Sequence, residues 1–244
     1  MTASQVIRLL PNGPDGAGLE PMEINPADFQ QAPDEQRIHV FYEDDAKTFA
    51  VGVWTTTDMQ EAFGPYPGDE FMVVLEGRVE MLDGDGGATP VKTGEAFAVR
   101  NGAPLSWKQT GFLRKAFLLM SNAGEHGEVS GQDVTVVSPA PGAITLVEAE
   151  EQIGGGHQHE SVLHRNDTGN IEAGIWETTA FRTELEPFSV HEFAHIIEGS
   201  VTITETDGRS HVFNAGDSLF IPAGTVCSWE SDGPVRKYFA TVRP

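Results

Sequence analysis

Apolar residues in this chain fall in short runs that alternate with polar ones or are rich in β-branched and aromatic types, and turn residues separate them. Runs of this length bounded by Gly, Pro, Asn and Asp predict strands, while the periodicity of an amphipathic helix is scarce. Strands are predicted at 71–75, 78–82, 96–99, 116–119, 134–137, 143–147, 195–197, 201–204, 218–221 and 237–241. Asp85-Gly86-Gly87 and Asp207-Gly208 each sit between two such runs. Asp-Gly suits the positive φ of a tight hairpin turn, so a hairpin is predicted in each half of the chain. The fold class is all-β, and many short strands separated by turns predict a sandwich or a barrel.

The pattern is written twice. Gly52, Trp54, Glu70, Gly77, Gly94, Gly102, Trp107 and Arg114 recur 122 positions later as Gly174, Trp176, Glu192, Gly199, Gly216, Gly224, Trp229 and Arg236, and residues 52–117 match without a gap. Glycines and tryptophans in one register mean matching turns and matching packed pockets. The expected domains are an N-terminal barrel at 1–120, including an extension over 1–36 with a strand at 6–10, a polar Gly-rich linker at 121–132, and a C-terminal barrel at 133–244. Residues 134–139 look like the counterpart of 6–11.

A net charge of −22 disfavours nucleic acid and anionic membrane surfaces as partners. One cysteine, Cys227, excludes an intramolecular disulfide framework and suits a reducing cytosol. No secretory signal and no apolar run of membrane-spanning length is evident, so a cytoplasmic location is expected.

Glu70-x6-Gly77 followed by Gly94 and Gly102, and Glu192-x6-Gly199 followed by Gly216-Asp217 and Pro222-Ala223-Gly224, resemble the two sequence motifs of the cupins. Asp69-Glu70-Phe71, Leu75-Glu76-Gly77, Trp107 and Arg114-Lys115, with their second-copy partners, look like a subgroup of small cupins of unknown function. The resemblance covers nearly the whole chain and implies two tandem double-stranded β-helix (jelly-roll) barrels, a bicupin. It says little about activity, because one fold hosts many chemistries.

In metal-binding cupins the motifs supply three histidines and a glutamate. The corresponding positions read Gly64, Tyr66, Glu70 and Leu105 in the first copy, and Glu186, Phe188, Glu192 and Cys227 in the second. One carboxylate cannot hold a metal, whereas Glu186, Glu192 and Cys227 form a candidate set for a single divalent ion: Zn, Mn, Fe or Ni. The pattern resembles that of the bicupin ureidoglycine aminohydrolases, which implies a metal-dependent hydrolase or isomerase as one reading. No histidine remains in the set, and the leading expectation is no cofactor. In that reading a small polar metabolite binds in the C-terminal barrel, against Trp176, Phe188, Glu192 and Trp229. A non-catalytic assembly module is a third reading, and a homodimer is compatible with all three.

Strand alternation places His191 and His195 on the face opposite Glu192. His157 and His159 follow a glycine run and are expected in a loop. The motif glutamates, if turned into the barrels, must be hydrated, paired or protonated, and pairing with Arg114 and Arg236 is the favoured expectation. With no basic neighbour in sequence, Cys227 is not expected to be a nucleophile.

Overall fold

The computed structural model describes residues 5–44, 49–121, 132–140, 145–148, 154–166 and 168–243. Apart from two single turns at Pro14–Gly16 and Pro26–Asp28, the described elements are strands. They form two units: one joins the N-terminal residues through Leu9 to Pro139–Pro244, the other is Leu10–Ser138.

Each unit is built from two antiparallel sheets in the same strand order. In the C-terminal unit the larger sheet runs Ile7–Arg8, Ser218–Ile221, His191–Glu198, Val235–Val242, Ile171–Thr178, Gln158–Arg165, Val147–Glu148. The smaller runs Phe181–Arg182, Val226–Ser231, Ser200–Glu205, Ser210–Asn214, with Glu186–Pro187 also paired to Val226–Ser231. In the N-terminal unit the larger sheet runs Val134–Val137, Ala96–Val99, Asp69–Glu76, Leu113–Met120, Phe49–Thr56, Gln36–Asp44, Glu20–Pro21. The two hairpins predicted at the Asp-Gly turns join Arg78–Leu82 to Ala88–Lys92 and Ser200–Glu205 to Ser210–Asn214.

The division of the chain differs from the expected boundaries. Strand Val134–Val137, expected to open the C-terminal barrel, pairs with Ala96–Val99 in the N-terminal unit, and Ile7–Arg8 pairs with Ser218–Ile221 in the C-terminal unit. The counterparts 6–11 and 134–139 thus occupy equivalent sheet edges, each in the barrel of the other repeat. An unpaired edge is a liability, and this exchange covers one on each larger sheet. Most of the expected linker, 122–131, and the start of the predicted strand 143–147 lie outside the described residues.

Each barrel closes over an apolar interior. In the N-terminal unit this is a cluster including Trp54, Met59, Tyr66, Met72, Leu105 and Trp107; in the C-terminal unit it includes Phe181, Ala194, Ile196, Cys227 and Trp229. The repeated glycines are structural. Gly77 and Gly199 have φ of 87° and 81°, and a Cβ at either would lie 2.3 or 2.1 Å from the carbonyl oxygen of Phe112 or Pro234. No side chain fits there, and the left-handed backbone disfavours one as well.

Candidate functional site

Three neighbouring strands of the larger C-terminal sheet turn alternate residues into the barrel. Trp176 comes from Ile171–Thr178, Lys237 lies directly opposite it on Val235–Val242, and Glu192 comes from His191–Glu198. Opposed side chains on paired strands are within contact reach, and here they build a charge pair on an aromatic bed. Lys237 Nζ donates to Glu192 Oε1 and lies 4.8 and 4.6 Å from the ring centres of Trp176 and Trp229. Both charged residues are more than nine-tenths buried. A buried carboxylate and ammonium are tolerated because each compensates the other, and the indole faces add cation–π attraction.

The N-terminal barrel holds the same arrangement. Lys115 Nζ donates to Glu70 Oε1 at 2.7 Å and lies 5.0 and 4.8 Å from the ring centres of Trp54 and Trp107. The cations that compensate the motif glutamates are therefore Lys115 and Lys237, not the expected Arg114 and Arg236. Each arginine precedes its lysine by one residue and faces the other way. Arg114 pairs with Glu76 at 3.1 Å, and Arg236 lies 3.7 Å from Glu177.

Around this shared core the two barrels diverge. In the N-terminal barrel the Tyr66 hydroxyl donates to Glu70 Oε2, and Met72 Sδ lies 3.1 Å from Lys115 Nζ. The corresponding residues in the C-terminal barrel are Phe188 and Ala194. The backbones match: Tyr66 bonds through N to Ala103 O and through O to Gly102 N at 2.9 and 2.8 Å, and Phe188 bonds to Thr225 O and Gly224 N at the same two distances. The C-terminal barrel holds a cavity of about 660 Å³, with Lys237 and Glu192 in its wall beside Trp176, Phe188, Cys227 and Trp229. Phe188 stacks on Trp229 with ring centres 5.9 Å apart. Further out, Glu148, Glu160, Glu172 and Glu186 line it together with Arg165 and Arg243. Both arginines reach Glu172, at 2.9 and 3.3 Å.

The four expected ligand-binding residues, Trp176, Phe188, Glu192 and Trp229, all line this cavity, as do the expected metal ligands Glu186, Glu192 and Cys227. Glu186 and Cys227 face each other on paired strands. Among the described residues no group of three His, Cys, Asp or Glu side chains is arranged to hold an ion. The donor chemistry does not fit one either. Glu192 is already bound to a cation, Lys237. Burial pushes the Cys227 thiol up to about 11, the nearby Trp229 N–H opposes this only in part, and Glu205, Glu192 and Glu186 add to it. A protonated thiol is a poor ligand and a poor nucleophile.

His191 and His195 lie outside this cavity, as alternation requires. His191 stacks on Phe220, while His195 stacks on Tyr238 and its Nδ1 bonds Ser218 Oγ at 2.8 Å. His159 belongs to strand Gln158–Arg165 rather than to the expected loop, opposite Glu177. With His157 it lines a separate cavity of about 270 Å³ beside Arg236. The residue that sequence reasoning missed is Lys237. Its parity was the available signal, since 237, 239 and 241 share a face of one strand.

Comparison with known proteins agrees with this architecture. A family model described as an EutQ-like cupin domain matches residues 165–239. No curated protein matches the chain. Among solved structures, a protein of unknown function from Pseudomonas syringae pv. tomato is similar with a TM-score of 0.79 at 21% identity, over 98% of this chain and 99% of that one. A putative glyoxylate induced protein from Pseudomonas aeruginosa gives 0.64 at 15% identity, over 99% and 89%. A cupin 2 conserved barrel domain protein from Leptotrichia buccalis gives 0.62 at 11% identity, over 92% and 98%. Two barrels of matching strand order, motif turns at matching positions and these likenesses together give the chain a cupin fold.

Proposed function

We propose that this chain is a bicupin that binds a small polar metabolite in the cavity of its C-terminal barrel, without a resident metal, and that the N-terminal barrel serves as a packed structural partner. One observation carries the reading. Tyr66 and Leu105, which pack in the N-terminal interior, are replaced at equivalent points by Phe188 and Cys227, and these line a cavity. Its volume falls within the range of small-ligand sites, and an aromatic wall with a few placed polar groups is their usual composition.

The Lys237–Glu192 pair supplies polar recognition. In this reading Lys237 takes the electrostatic place that a metal holds in other cupins, and Glu192 orients it. A thermal-shift screen of small metabolites against the full chain identifies the ligand class. Glu192→Gln is then expected to weaken ligand binding about tenfold or more, on the usual worth of a charge-assisted hydrogen bond. Glu70→Gln is expected to leave binding unchanged. Equal loss in both variants sinks the asymmetric-site reading. Near one equivalent of bound metal by elemental analysis, lost in Cys227→Ala, instead favours the metal-dependent hydrolase or isomerase reading.

A further inference from the structure

The N-terminal barrel shows what the C-terminal cavity is missing. Glu70 accepts at both oxygens, from Lys115 at Oε1 and from the Tyr66 hydroxyl at Oε2. Glu192 accepts from Lys237 at Oε1, and no counterpart of the Tyr66 hydroxyl reaches its Oε2 among the described residues, because Phe188 stands at that place. Lys115 Nζ likewise has Met72 Sδ at 3.1 Å, and the equivalent position in the C-terminal barrel is Ala194, which has no sulfur to offer. Tyr66 Oη and Met72 Sδ lie 4.0 Å apart, side by side over the charge pair. Glu192 and Lys237 line the cavity, so their remaining hydrogen-bonding capacity is available to a ligand there.

The charge balance restricts what that something is. The ammonium of Lys237 is already neutralised by Glu192, and at the cavity wall the acids Glu148, Glu160, Glu172 and Glu186 outnumber Arg165 and Arg243. An anion entering this acidic mouth is repelled. A cation finds its aromatic seat taken, since Lys237 Nζ already lies against both indole faces at 4.8 and 4.6 Å. The fitting ligand is uncharged, donates to one side of the pair and accepts from the other, and has an apolar face for Trp176, Phe188 and Trp229.

We infer that the C-terminal barrel recognises an uncharged vicinal diol, of the polyol or sugar class, one hydroxyl donating to Glu192 Oε2 and its neighbour accepting from Lys237 Nζ. The donating oxygen takes the part that Tyr66 Oη plays in the N-terminal barrel, its neighbour lies beside Lys237 Nζ, and the C–H face of the ligand packs on the aromatic wall. This inference rests on the cavity reading above and specifies its ligand.

The test is calorimetric titration of the full chain with erythritol, xylitol and xylose at millimolar concentration, beside acetate, methylammonium and the deoxy counterparts that lack one hydroxyl of the pair. At least one diol is expected to bind, with its deoxy counterpart about tenfold weaker, the loss of one good hydrogen bond. Phe188→Tyr restores the phenol over Glu192 and is expected to abolish binding while raising the melting temperature, and Cys227→Leu, which restores the side chain of the equivalent Leu105, is expected to abolish binding by filling the cavity. Phe188→Tyr adds one atom, so its folding is checked by the same melting curve. Tyr66→Phe in the other barrel is expected to leave binding unchanged. Preference for acetate or methylammonium, blocked by Phe188→Tyr, overturns the diol class and leaves the cavity reading standing. Diol binding that survives both cavity-filling variants overturns the cavity reading as well. Failure of every diol to bind overturns the class.

Discussion

Cys227 shows how a single residue's surroundings decide its chemistry. It lies in a cavity wall, where a nucleophile is useful, yet it is 2% exposed and the acids Glu205, Glu192 and Glu186 stand near it. Desolvation penalises the thiolate first and the carboxylates repel it second, so the thiol is held up to about 11. The native protein is accordingly expected to react with a disulfide reagent at least roughly a hundredfold more slowly than free cysteine at mildly alkaline pH, because the thiolate fraction sets the rate. Rapid modification of the folded chain, measured by thiol release, sinks this account. Sequence reasoning anticipated an unreactive cysteine from its lack of a basic neighbour, and it read Trp176, Phe188, Glu192 and Trp229 as one site from their motif positions. It chose the wrong cation. Arg114 and Arg236 repeat between the copies, but so do Lys115 and Lys237, and repetition alone cannot say which of two adjacent basic residues turns inward. Strand parity settles it, once the strand's other inward residues are known.

At the scale of elements, strand Ile7–Arg8 is held in the C-terminal sheet by backbone pairing, by the buried side chains of Val6 and Leu9, and by Arg8. Its guanidinium lies 2.8 Å from Asp217 and 4.1 Å above the Phe213 ring, and it donates to the Val212 carbonyl, while Val6 N donates to Glu205 at 2.6 Å. Arg8 and Asp217 are each about a third exposed, so the ion pair is discounted for solvent screening. Arg8→Ala is expected to destabilise the C-terminal barrel by about 1–2 kcal/mol, mostly through the hydrogen bond and the cation–π contact. Urea denaturation checks it, and an unchanged midpoint would show that backbone pairing with Ser218–Ile221 and the burial of Val6 and Leu9 suffice. The strands themselves were legible: 78–82, 96–99, 134–137 and 218–221 coincide with the observed elements, because alternation and Gly-rich turns are local properties. The exchange of Ile7–Arg8 and Val134–Val137 was not. Their equivalence could be read from similar residues, but the sheet an edge strand joins depends on the path of the chain, which no local pattern encodes.

For the whole molecule, one shifted group in each barrel, His195 and Glu61, is expected to give the two barrels opposite responses to acid. In the C-terminal barrel burial holds His195 down to about 4, below its ordinary 6.5. Its neutral form is the folded one, so stability is present above 6.5 and is lost as pH falls through about 4, by on the order of 3 kcal/mol at full protonation. In the N-terminal barrel burial holds Glu61 up to about 7, against its ordinary 4.5, with Lys115 opposing and Glu70 adding. There the protonated form is the folded one. Its contribution is present below 4.5 and is lost as pH rises through about 7, so acid strengthens this barrel over the window in which it weakens the other. The chain divides into two compact units, and a two-domain protein need not unfold in a single step. Calorimetry of the full chain is therefore expected to resolve two transitions that separate as pH is lowered from 6.5 to 4.5, the C-terminal barrel moving down. His195→Gln is expected to flatten the falling transition and Glu61→Gln the rising one, which assigns each to its barrel. Two transitions that move together through this window, or a separation that neither substitution changes, would mean that these buried groups do not govern how the two barrels respond to acid.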